Sequence, residues 1–108
     1  MDNKINFSVK IKFKKNDCID TSFFYKQLIY NLSLLDNNEY QPTIQIKNIK
    51  EYKRSLFFRV SFEFIENEEI PDFYKTNDSI LGIKKIILSK FKEITKQKIK
   101  IFVKRLKN

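Results

Sequence analysis

From Leu56 to Phe64 every second residue is apolar: Leu56, Phe58, Val60, Phe62 and Phe64 alternate with Phe57, Arg59, Ser61 and Glu63. A strand turns successive side chains to opposite faces, so this run predicts a strand with one buried side. Residues 5–13 repeat the pattern, setting Ile5, Phe7, Val9, Ile11 and Phe13 against Asn6, Ser8, Lys10 and Lys12. Two such strands commit the chain to a sheet covered on one face, and the remaining elements must supply the cover.

Two stretches have the spacing of amphipathic helices. The first is expected to begin at a cap formed by Asp20, Thr21 or Ser22 and to run to about Leu35, with Phe24, Leu28, Leu32 and Leu35 on one face. Asp36-Asn37-Asn38 should stop it. The second runs from about Ser79 to Lys96 behind Asn77 or Asp78, with Ile80, Ile83, Ile87, Phe91 and Ile94 as its core stripe. A further strand is expected near residues 43–51, with Ile44 and Ile46 inward, followed by a polar turn over 50–55 that lacks Gly and Asn. A last strand, Lys98 to Leu106, alternates Ile99, Ile101 and Val103 with Lys98, Lys100, Phe102 and Lys104.

The order β-α-β-β-α-β predicts a single α+β domain of 108 residues. Its expected arrangement is a ferredoxin-like split βαβ: a four-stranded antiparallel sheet with two helices on one face, each crossover right-handed.

The helix-free face should then carry Asn6, Ser8, Lys10 and Lys12, Gln45 and Lys47, Phe57, Arg59, Ser61 and Glu63, and Lys98, Lys100, Phe102 and Lys104. Lysine and arginine neutralise phosphates, and an exposed aromatic stacks on a base. Lys10, Lys12, Lys47, Arg59, Lys98, Lys100 and Lys104, with Phe57 and Phe102, are therefore the expected nucleic-acid-binding residues. The competing reading is a solvated face whose lysines keep an open sheet from aggregating. The same topology occurs in the RNA-recognition motif, whose third-strand signature requires a glycine and aromatics at set positions. The stretch Arg54-Ser55-Leu56-Phe57-Phe58-Arg59-Val60 has no glycine, and the first strand turns no aromatic outward, so that signature is absent.

Net charge is weaker evidence than its distribution. The formal charge is +9, yet lysine outnumbers arginine nineteen to three, alanine is missing and Ile, Asn, Phe and Tyr abound. A/T-rich codons encode these residues, so coding bias alone raises the lysine count.

Catalytic equipment is sparse. There is no histidine, the commonest general base and zinc ligand. Cys18 is the only cysteine, which precludes an internal disulfide or a CxxC site. Gly82, the only glycine, lies inside a helical pattern, so no phosphate-cradling loop is encoded. The acidic stretch Glu66, Glu68, Glu69 and Asp72 lacks the spacing and glycine of a calcium loop. No enzyme activity, cofactor or metal is expected. No apolar run approaches a membrane span, and Met1-Asp2-Asn3-Lys4 lacks a signal peptide's apolar segment, so a cytoplasmic protein is expected.

The first helix carries a second signal. Opposite its core stripe lie Phe23, Tyr30 and Leu34, and from Thr21 to Leu35 its only charge is Lys26, in a chain that is 32% charged. An apolar patch on the outside of a two-layer domain marks a protein interface. Phe23, Tyr30 and Leu34 are the expected contacts with a protein partner or a second copy. Two functions compete: a basic accessory subunit on nucleic acid, or a structural assembly protein of a phage or other large complex.

Overall fold

The first alternating run forms β1 (Lys4–Phe13) and the strongest one forms β3 (Ser55–Glu63), paired antiparallel with Phe7 opposite Val60 and Val9 opposite Phe58. The computed structural model describes residues 3–15, 19–38, 41–65 and 69–107. Cys18, Glu66 and Glu68 lie outside them. β2 (Thr43–Tyr52) pairs with β3 and β4 (Ile99–Leu106) pairs with β1, both antiparallel, giving the order β2-β3-β1-β4. The fold is α+β.

The central strands bury their apolar face. Phe7, Ile11, Val60 and Phe62 are inaccessible to solvent, whereas Ile44, Ile46, Ile101 and Val103 on the edge strands are only half-buried. Helix α1 (Thr21–Leu32) covers this face with Phe24, Leu28 and Leu32, and α3 (Asn77–Ile94) with Ile83, Ile87 and Phe91. The Phe24 ring stands edge-on to Phe91 at 5.1 Å and to Phe58 at 6.3 Å, joining both helices to the sheet. Each side chain of this size stabilises the fold by about 1.5–3 kcal/mol on burial.

Several boundaries depart from the sequence reading. α1 is capped by Asp20, whose carboxylate accepts from the Phe23 amide at 3.0 Å, but it ends at Leu32. Leu35–Asn38 form a separate 3₁₀ turn, and Asp36 takes a left-handed φ of 58°. α3 starts at Asn77 and ends at Ile94, two residues before Lys96, where Thr95 turns extended. Asp72, expected in an acidic loop, opens the short helix α2 (Asp72–Lys75). That helix brings Tyr74 into the core against Phe62 and Phe64, at 5.2 and 4.9 Å. Gly82 lies inside α3, where Leu35 crosses it closely: a Cβ there would lie 3.0 Å from Leu35 Cδ2, so the position favours glycine.

Arg105 fastens β4 to the α2–α3 junction. Its Nε donates to the Tyr74 carbonyl at 2.9 Å, and its Nη2 donates to the Thr76 carbonyl and, at 3.2 Å, to Ser79 Oγ. The carbonyls at the end of α2 thereby gain a charged donor, which offsets their missing helical partners. At the other end of the sheet, Gln97 accepts from the Lys14 and Lys15 amides, both at 2.9 Å, and returns a bond to the Lys15 carbonyl. No helix among the described residues is long and apolar enough to cross a membrane.

Candidate nucleic-acid interface

Strand register sorts the open face into cross-strand rows. Lys47, Arg59, Ser8 and Lys104 form one row, Lys50, Phe57, Lys10 and Phe102 the next, and Tyr52, Ser55, Lys12 and Lys100 the third. Rows on one face lie ~7 Å apart and neighbours within a row ~5 Å. The aromatic-bearing row is thus flanked on both sides by cations.

Lys50 and Tyr52 reach this face through a bulge. The register slips between Lys47 and Lys50, with Asn48 in the left-handed region at φ 54°. Asn tolerates that conformation better than most residues. Simple alternation would have turned Lys50 and Tyr52 to the helices. The slip sets them beside Phe57 and Ser55, and sends Glu51 to the helix side opposite Leu56. The polar turn expected over 50–55 contracts to Lys53 and Arg54. Tyr52 stacks edge-on against Phe57 at 5.6 Å. An isolated Asn amid strand residues was the available signal.

Eight cations on this face (Lys4, Lys10, Lys12, Lys47, Lys50, Arg59, Lys100 and Lys104) stand against one carboxylate, Glu63, among the described residues. Glu63 is engaged by Lys4 at 3.8 Å. Lys12 lies directly opposite Lys100, and Lys47 directly opposite Arg59. Like charges so placed destabilise a sheet. Two lysines find partial relief on rings: Lys10 Nζ lies 5.0 Å from the Phe57 centroid and Lys12 Nζ 5.9 Å from that of Phe102. At exposed sites such contacts contribute only about 0.5–1 kcal/mol.

Lys98 falls just before β4 instead of within it. It still joins the cationic surface, lining a groove with Lys12, Lys14 and Lys100 at the end of the sheet. Two further shallow grooves adjoin Phe57. One is bounded by Asn48, Ile49, Lys50 and Arg59 at the bulge. The other is bounded by Lys10, Phe102 and Lys104, and Lys84 of α3 reaches it. Ser8 and Phe57 belong to both. Lys84 carried no signal in the alternation because it comes from the helix layer.

Phe23, Tyr30 and Leu34 lie on the opposite layer and are 46%, 64% and 45% exposed, with Ile29 38% exposed nearby in sequence. Leu34 lies beyond the end of α1. Tyr25, on the same helix, instead packs inward on Phe24 and Phe58. Its hydroxyl is buried without a hydrogen-bond partner among the described residues, and burial, then the Glu51 carboxylate, holds its pKa well above the usual tyrosine value.

No protein-family description matches the chain. No curated protein matches it in sequence. Among solved structures it is similar to a de novo designed protein with ferredoxin fold, LFR1 1, at 16% identity and a TM-score of 0.55, over 94% of this chain and 84% of that one. A second designed protein, Foldit4, aligns over 94% of this chain and 96% of its own at 9% identity and a TM-score of 0.48. The first likeness is one of fold.

Proposed function

We propose that this chain is a ferredoxin-like split βαβ domain acting as a non-catalytic accessory subunit inside the cell, binding nucleic acid through its open sheet face. The fold part rests on the order β2-β3-β1-β4 with α1 between β1 and β2 and α3 between β3 and β4. One observation carries the function: Lys12 opposite Lys100 and Lys47 opposite Arg59, on a face with a single, already engaged carboxylate among the described residues. Coding bias raises lysine everywhere but does not place it in opposed pairs on one face. A polyanion converts that repulsion into attraction and releases its own counterions.

A second reading is favoured by the exposed Phe23, Tyr30 and Leu34. In it these residues attach the subunit to a protein partner or a second copy, and in its strong form the chain is an assembly protein with no nucleic-acid role. Light-scattering mass at low and high salt, with and without a short mixed-sequence oligonucleotide, separates the two. Mass gained with the oligonucleotide at low salt and lost at high salt supports the first. A salt-resistant oligomer indifferent to the oligonucleotide refutes it and leaves assembly, because apolar burial is not screened.

A further inference from the structure

We infer that the ligand of the open sheet face is single-stranded nucleic acid, laid across the strands with bases in the two grooves that flank Phe57. The inference rests on the nucleic-acid reading above and narrows it to one class of strand. Phe57 is shared by the bulge groove and the Phe102 groove, so a base entering either one meets an aromatic wall. Phe102 is 50% exposed and Tyr52 56%, leaving ring surface open to a ligand. Phe57 and Phe102 are separated by one intervening strand, ~10 Å across two strand spacings. The row holding both rings runs between Lys47, Arg59 and Lys104 on one side and Lys12 and Lys100 on the other. A strand crossing there keeps its phosphates within reach of cations while its bases turn down onto rings.

A duplex presents a different surface. Its bases are stacked on one another, so an open sheet meets only phosphates and gains nothing from three aromatic rings. Single-strand binders combine a basic track with rings on which bases stack. Lys10 and Lys12 now lie over Phe57 and Phe102. An incoming base displaces these ammonium groups, and each one released is already beside a phosphate. Stacking on a base exceeds an exposed cation–ring contact, so the exchange is favourable.

The test compares four probes on the unaltered protein by fluorescence anisotropy: a labelled single strand, its duplex, an abasic strand of equal length, and anionic phosphatidylserine vesicles as competitor. The single strand should bind at least about tenfold more tightly than the abasic strand and the duplex, and vesicles should not displace it. Phe57→Ala and Phe102→Ala should each weaken the single strand about five- to a hundredfold and leave the abasic strand unchanged. Circular dichroism melts establish that both variants fold, and the abasic comparison needs no variant. Equal binding of all three nucleic-acid probes, lowered together by Lys100→Glu and untouched by the Phe substitutions, overturns this inference and leaves the broader reading intact. Binding to none of them overturns both. Vesicles that bind and expel the strand overturn the choice of ligand.

Discussion

Lys12 on β1 and Lys100 on β4 face each other directly across two neighbouring strands, a pairing of like charges that weakens the free fold. Lys100→Glu should therefore stabilise the isolated protein by about 0.2–1 kcal/mol in urea unfolding, because an opposite-charge pair replaces a repulsive one. The same substitution should weaken oligonucleotide binding. Loss of stability together with unchanged binding would detach the charge pair from function.

Tyr74 is inaccessible to solvent, and its hydroxyl has no hydrogen-bond partner among the described residues. An unmet buried polar group costs about 1–3 kcal/mol. Tyr74→Phe keeps the ring contacts with Phe62 and Phe64 and should stabilise the protein by about 1 kcal/mol. Burial, and secondarily the Asp36 carboxylate, pushes the Tyr74 phenol up to about 12 from the ordinary 10.0. The unfolded chain thus releases this proton first as pH rises, so its contribution is intact below pH 10 and is lost between 10 and about 12. Urea titrations across that interval should show a shallower loss in Tyr74→Phe than in the unaltered protein.

Arg105 ties β4 to the Tyr74 and Thr76 carbonyls and to Ser79. Arg105→Met retains much of the apolar stem and removes every donor. It should cost about 1.5–3 kcal/mol, the range for hydrogen bonds to a charged group. A Tm equal to that of the unaltered protein would mean the guanidinium is only a surface cation.

Asn48 holds the bulge open in a left-handed conformation. A β-branched residue pays about 1–2 kcal/mol there, so Asn48→Val should destabilise by that amount, while Asn48→Gly should not. Proton exchange at the Lys50 and Tyr52 amides should rise in Asn48→Val if the slip in register is what holds Lys50 and Tyr52 on the open face.

The two central strands, the cap at Asp20 and the stripe Ile83, Ile87 and Phe91 were legible because burial imposes a strict period on them. Edge strand β2 was legible in its place and in its inward Ile44 and Ile46, but its bulge was not, because its outer half is exposed throughout and only one Asn marks the slip. α2 was hidden by its acidic flank, and only its packing of Tyr74 onto Phe62 reveals why those four residues coil. For the site, the sequence read most of the cations from parity, Lys98 falling just outside its strand. Lys4, Lys50, Tyr52 and Lys84 escaped it: Lys4 opens β1 ahead of the alternating run, Lys50 and Tyr52 arrive through the bulge, and Lys84 approaches from the helix layer.

The salt dependence of single-strand affinity reports how many phosphates the open face neutralises. If five or six phosphates are neutralised by the open face, a plot of log affinity against log salt should fall with a slope near −4, at about 0.7 per contact. Lys12→Glu with Lys100→Glu should flatten it. A slope near zero, or no measurable binding at low salt, would contradict the account and leave the opposed lysines without a ligand.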